Sequence, residues 1–217
     1  MFTGLVREVG RLWSQRSVSG LTVLDITAPK IVASGLAIGD SLAVNGICLT
    51  ITTMTADRVR VDASAETRRV TTLADWRVGQ ALHLEPALRS GDPLGGHFVL
   101  GHVDGIGQVA RIRRERGTRA LSMFASPALR AQLVPKGSIA VDGVSLTLDD
   151  GPFDRTFTVT IVPHTLRETR FDTLRAGDRV NLEIDILSKA AMAGAARDAR
   201  PATHQTIGAI LARGWSR

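Results

Sequence analysis

Hydrophobic and polar residues alternate along two short stretches, DSLAVNGICLTIT at residues 40–52 and GSIAVDGVSLTL at residues 137–148. In each, two alternating runs flank an Asn-Gly or Asp-Gly step. That pattern predicts a tight β-hairpin, because both residues tolerate the positive φ angles of a type I′ turn. With the turn at Asn45-Gly46, Val44 faces Ile47, Leu42 faces Leu49 and Ser41 faces Thr50. Side chains alternate along a strand, so Leu42, Val44, Ile47 and Leu49 share one face, and Ser41, Ala43, Cys48 and Thr50 the other. The second copy sorts Ile139, Val141, Val144 and Leu146 against Ser138, Ala140, Ser145 and Thr147. The apolar face suits a barrel core; the small, hydroxyl- or thiol-bearing face meets either a ligand or solvent.

The repetition runs the length of the chain, with a period of about 97 residues. FTGLV at residues 2–6 stands against VLGHV at residues 99–103, and VGQALHLE at residues 78–85 against AGDRVNLE at residues 176–183. Each half also holds a β-like run (21–26; 120–124), a helical pattern opened by proline (29–36; 127–133), and a further run after the hairpin (58–62; 156–162). ETRRVT at residues 66–71 matches HTLRET at residues 164–169. About six short strands per half, punctuated by Gly and Pro, predict a small closed barrel rather than an open sheet. The expected fold is all-β: two tandem, internally duplicated six-stranded antiparallel β-barrels with a C-terminal α-helical tail. The SGDPLGG linker sets the boundaries at 1–90, 91–187 and 188–217. The tail is Ala-rich, Pro201 breaks it, and a second helix is expected over residues 203–215.

Composition narrows the function. The chain has 217 residues, 44% hydrophobic and 22% charged, enough for two packed cores. A net charge of +6 suggests nucleic acid, but residues 187–217 carry five cations against Asp198, leaving the body close to neutral. Aromatic residues make up 4% and Tyr is missing, so no basic stretch is interleaved with stacking rings. No apolar run is long enough for a membrane span, and MFTGLVREVG lacks the apolar core of a signal peptide, so the cytoplasm is the expected compartment. The single cysteine, Cys48, excludes an intramolecular disulfide and a cysteine-rich metal cluster.

Six motifs then fall in order: MFTGLV-x-EVG, NGICLT, GGHFVLGHVDG, KGSIAVDGVSLTL, VPHTL and VNLEID. Each is weak alone; as a set spanning residues 1 to about 189, they closely resemble the riboflavin synthase α-chain family. The resemblance implies a transferase that needs neither cofactor nor metal. In it, two molecules of 6,7-dimethyl-8-ribityllumazine exchange a four-carbon unit, giving riboflavin and 5-amino-6-ribitylaminouracil. It also implies a homotrimer in which the N-terminal barrel of one subunit meets the C-terminal barrel of another, and it leaves association with a lumazine synthase open. The alternative reading is a non-catalytic paralogue that holds lumazine or flavin.

The resemblance places candidate residues in both halves. His102, absent at the matching position Leu5, is the expected acid/base, since a near-neutral pKa suits that work. Cys48 and Ser145 occupy equivalent hairpin positions beside the bound rings; a lone cysteine in an apolar strand is more often core than nucleophile. Ser41, Thr67, Asp185 and Phe2 complete the set expected to act on the chemistry. At the first barrel the substrate is expected to touch Cys48, Leu49 and Thr50, then Asp62, Ala63, Ser64, Ala65, Glu66 and Thr67. Glu66 is placed there on the ribityl hydroxyls. The second barrel offers Lys136, Ser145, Leu146 and Thr147, then Val162, Pro163, His164, Thr165, Leu166 and Arg167. Two further segments, Gly4-Leu5-Val6 and Gly101-His102-Val103, are expected to join them. Arg68 departs from the family's usual Leu, which Leu166 retains in the second half.

Overall fold

The computed structural model describes residues 1–151 and 153–198. The expected break at Pro201 and helix over 203–215 lie outside the described residues. The first half comprises β1 (Glu8–Val18), β2 (Leu21–Thr27), α1 (Pro29–Ala33), β3 (Ser41–Val44), β4 (Ile47–Met54), β5 (Arg58–Ala63), α2 (Ala65–Val70), a 3-10 turn (Thr72–Asp75) and β6 (Ala81–Pro86). Its strands close into an antiparallel barrel in the order β1-β2-β5-β4-β3-β6. The second half repeats the series: β7 (Gly105–Glu115), β8 (Thr118–Phe124), α3 (Pro127–Arg130), β9 (Ser138–Val141), β10 (Val144–Thr147), β11 (Thr156–Ile161), α4 (Pro163–Glu168), a 3-10 turn (Arg170–Asp172) and β12 (Arg179–Ile184). Helix α5 (Ile186–Asp198) follows.

The second sheet, β10-β9-β12-β7-β8-β11, keeps the circular order of the first. Its seam is narrower. β10 has four residues against eight in β4, and among the described residues it meets β11 just past its end, through the Leu148–Val159 bridge, an Asp149 N–H to Thr158 carbonyl bond of 2.9 Å and a Thr160 hydroxyl bond to the Asp149 carboxylate at 3.2 Å. The sequence supplies the reason, since Asp149-Asp150-Gly151-Pro152 cannot continue a strand. The proline-opened helices are also shorter than expected, ending at Ala33 and Arg130.

Both hairpins have the predicted register, and their apolar faces fill the two cores. Leu42, Val44, Ile47 and Leu49 pack in the first; Ile139, Val141, Val144 and Leu146 in the second. Burying each such side chain contributes about 1.5–3 kcal/mol. The turns adopt positive φ at Asn45 (46°), Gly46 (76°), Asp142 (44°) and Gly143 (79°). They meet back to back. A Cβ on Gly46 would lie 2.6 Å from the Gly143 nitrogen, so neither position admits a side chain.

Two repeat-equivalent residues lock this joint. Asn181 on β12 donates from Nδ2 to the Asn45 carbonyl at 2.9 Å and accepts the Thr72 N–H at 2.8 Å. His83 on β6 does the same with a ring: Nδ1 meets the Asp142 carbonyl at 2.9 Å, and Nε2 accepts the Arg170 N–H at 2.9 Å. That geometry requires a neutral imidazole carrying its proton on Nδ1. Burial holds its pKa down at about 4, with the nearby Asp142 charge opposing and the Arg170 charge adding to the shift.

Candidate functional site

The feature that builds the site is a crossing of chain segments. Residues 2–5, which precede the first barrel, lie on the hairpin of the second: Ser145 N–H donates to the Gly4 carbonyl at 2.9 Å. Residues 99–103, which precede the second barrel, lie on the hairpin of the first: Cys48 N–H donates to the Gly101 carbonyl at 2.9 Å. The two straps pair with each other through reciprocal Phe2–Val99 bonds of 2.7 and 3.1 Å. Their approach to the hairpins is close enough to exclude side chains, since a Cβ on Gly4 or Gly101 would fall 2.6 or 2.5 Å from Ser145 or Cys48.

Each strap is held by a buried glutamate on the last strand of its own half. Glu85 accepts the Thr3 N–H (2.6 Å), the Thr3 hydroxyl (2.7 Å) and the Gly4 N–H (3.0 Å). Glu183 accepts the Leu100 N–H (2.7 Å) and the Gly101 N–H (3.0 Å). Burial raises both carboxyl pKa values, Glu183 to about 7, against the lowering pull of these N–H donors. The Leu-Glu pair common to both halves, Leu84-Glu85 and Leu182-Glu183, was the sequence signal for this pair; neither glutamate stood out as a site residue.

The straps gather the expected residues into two equivalent groups. At the first barrel, Cys48 and Thr50 stand on β4, Ser41 pairs with Thr50 across the hairpin, and Asp62 pairs with Thr50 from β5. Ser64 caps α2 by accepting the Thr67 N–H at 3.0 Å, and Ala65, Glu66 and Thr67 form its first turn. Gly101 and an exposed His102 arrive on the strap, and Val103 packs on the first core. At the second barrel, Thr147 lies beside Ser145 on β10, Val162 caps α4, and Pro163, His164, Thr165, Leu166 and Arg167 lie on it. Leu5 is exposed there, and Val6 packs on the second core.

Several expected contacts take other places. Phe2 does not reach a pocket; it is fully buried between the barrels with Ala43, Val99 and Ala140, where it anchors the straps. Leu49, Leu146 and Ala63 turn into the cores and offer backbone rather than side chain. Lys136 pairs with Asp150 at 3.0 Å on an exposed loop, and Glu66 is engaged by Arg69 at 2.6 and 2.8 Å. Asp185 accepts the Leu187 N–H at 3.0 Å as α5 begins.

The structure adds one residue that the motif reading passed over. His97, in the GGHFVLGHVDG segment, is 7% exposed and sits with Nδ1 2.7 Å from the Ser145 hydroxyl. Its Nε2 is buried without a partner among the described residues. Burial lowers its pKa, while the Asp185 charge opposes the shift, so the ring is neutral at neutral pH and able to accept the Ser145 proton. The aligned repeat segments open at Phe2 and Val99, and His97 lies outside them, so the duplication carried no signal for it.

A duplicated barrel with one hydroxyl- or thiol-bearing hairpin per repeat, each completed by the other repeat's strap, defines a class. The lumazine binding domain family matches residues 3–87 and again 100–185. Riboflavin synthases of Bacillus subtilis (strain 168) and Actinobacillus pleuropneumoniae are 41% and 37% identical over 189 residues, covering 87% of this chain and 87% of each relative. The chain belongs to the riboflavin synthase family and is an enzyme of that kind. In fold it resembles LumP, whose structure in complex with riboflavin superposes with a TM-score of 0.78 at 24% identity, covering 85% of this chain and 99% of that one. LumP complexed with 6,7-dimethyl-8-(1'-D-ribityl) lumazine gives 0.76 at 23% identity. Among the described residues no helix is long and apolar enough to cross a membrane.

Proposed function

We propose that the chain catalyses the dismutation of two 6,7-dimethyl-8-ribityllumazine molecules to riboflavin and 5-amino-6-ribitylaminouracil. The observation that carries this reading is the reciprocal crossing of the straps, which makes the two equivalent hairpins depend on one another. A reaction between two copies of one molecule needs two related pockets, and holding both partners in place removes the entropy cost of their encounter.

In this reaction one lumazine loses protons from its methyl groups and the other surrenders four carbons. Two C–C bonds form and two C–N bonds break, so the pair needs no outside oxidant or reductant. The His97–Ser145 pair supports a proton route at the second pocket: the neutral imidazole takes the hydroxyl proton as Ser145 acts on the ring beside it. At the first pocket Cys48 and Thr50 line the hairpin and His102 offers an exposed imidazole. The hydroxyls of Ser41, Ser64, Thr67 and Thr165 are suited to the ribityl chain. Exposed apolar Leu5 and Val162 at the second pocket support closure by a further subunit, in keeping with a trimer.

The test is to incubate the purified protein with the lumazine alone and follow riboflavin absorbance. One riboflavin per two lumazines consumed supports the proposal; stoichiometric ligand binding without riboflavin establishes a non-catalytic lumazine-binding protein instead.

A further inference from the structure

Against the face of α2 that carries Ala65, Arg68 and Arg69 lies a cleft of about 650 Å³; of the residues expected to touch the lumazine, Ala65 alone lines it. Arg16, Arg68, Arg69 and Arg179 line it, and no carboxylate does. Ser17, Thr22, Thr71 and Gln15 add three hydroxyls and an amide. Three of the arginines have carboxylate partners beyond the wall: Asp25 for Arg16, Glu66 for Arg69 and Asp75 for Arg179. Arg68 makes no ion pair among the described residues.

The internal repeat shows that this is no general property of the fold. The equivalent cleft in the second half, about 420 Å³, sets the carboxylates Glu115 and Asp172 beside Arg114 and Arg116, with Leu166 at the position of Arg68. Arg119, the counterpart of Thr22, lies buried beneath it and donates to the Phe171 and Leu174 carbonyls. In the first half a short Thr22 leaves that space open, Ala74 stands in place of Asp172, and Arg68 in place of Leu166. The second-half cleft sets two acids among its arginines, whereas the first-half cleft is lined by arginines without an acid.

We infer that the first-half cleft is a binding site for a small sugar phosphate. Guanidinium groups form paired, charge-assisted bonds to phosphoryl oxygens. A phosphate ion alone is much smaller than the space, which is in the range for a small-molecule ligand. The Ser, Thr and Gln groups offer partners for the hydroxyls of an attached sugar. The inference is independent of the proposed lumazine reaction.

Calorimetric titration of the full chain with ribose 5-phosphate, inorganic phosphate and ribose tests it, at an ionic strength of about 0.15 M where long-range attraction is screened. Ribose 5-phosphate is expected to bind at one site, inorganic phosphate more weakly, and ribose not measurably. Arg68→Leu copies the second repeat and is expected to weaken ribose 5-phosphate binding at least about tenfold, as loss of a charge-assisted bond does. Arg179→Gln, an exposed change, is expected to weaken it as well. Absence of binding by ribose 5-phosphate, or binding unchanged in both variants, overturns the inference. Equal affinity for inorganic phosphate and ribose 5-phosphate overturns the sugar component.

Discussion

At the scale of single residues, two histidines are placed by the fold for opposite ends. His97 faces Ser145 with one nitrogen and leaves the other buried and free among the described residues, an arrangement suited to moving a proton. Its folded pKa lies below 6.5, so kcat/KM for riboflavin formation is expected to hold through neutral pH and fall on the acid side, at a pH below 6.5. His97→Gln is expected to lower turnover roughly 10²–10⁴-fold and to remove that acid limb. An unchanged limb would assign the titration to another group. His83 has both nitrogens occupied and serves as a ring-shaped counterpart of Asn181. Its pKa is near 6.5 unfolded and about 4 folded, so below 6.5 the unfolded chain takes up a proton that the folded chain refuses. Its neutral state therefore costs nothing above pH 6.5, and stability falls as pH drops from 6.5 to 4, by about 3 kcal/mol in all. Denaturant titrations of wild type and His83→Asn across this window should differ by that slope. Parallel curves would show that the imidazole is not held neutral.

At the scale of elements, the straps are the site's supports, and their crossing makes a sharp prediction. Glu183 holds residues 100–101, which in turn bond Cys48 of the first barrel; Glu85 holds residues 3–4, which bond Ser145 of the second. Replacing either carboxylate by an amide turns an NH₂ towards a buried N–H, a mismatch costing about 1–3 kcal/mol. Glu183→Gln is therefore expected to speed amide hydrogen exchange at Cys48, and Glu85→Gln at Ser145. Loosening confined to the mutated half would contradict the crossing. The strands, hairpin register and faces were legible in the sequence because period-two alternation and Asn-Gly or Asp-Gly turns are local properties. The crossing was not, since FTGLV and VLGHV read equally well as the opening of their own barrels. Phe2 was misplaced for the same reason: its neighbours are the other strap and both hairpins, none close in sequence. Cys48, Thr50, Ser145 and Thr147 were legible as one class of position because the repeat aligned them. His97 required a contact across 48 residues, from a segment the repeat does not duplicate.

At the scale of the molecule, the two halves form a near-symmetric pair joined by turns, straps and a shared apolar cluster, with a helix appended to one of them. Neither sheet draws a strand from α5: β6 pairs with β1 and β3, and β12 with β7 and β9. The helix is nevertheless fixed at its base. Lys189 Nζ lies 2.7 Å from Asp104, whose carboxylate also accepts the Ile184 N–H at 2.8 Å. On either side of this anchor it presents Leu187 at 60% and Met192 at 41% exposure, apolar surface that the other described residues do not cover. Deleting residues 190–217 leaves Lys189 and both barrels intact and removes Met192. We expect the truncated chain to stay folded, with thermal unfolding little changed, while its self-association weakens. If catalysis joins pockets from two subunits, turnover per chain will then fall on dilution and recover at high protein concentration. Sedimentation velocity and riboflavin formation over the same concentration series measure both effects together. A truncated chain that keeps its assembly and full turnover at low micromolar concentration would place the subunit contacts in the barrels alone.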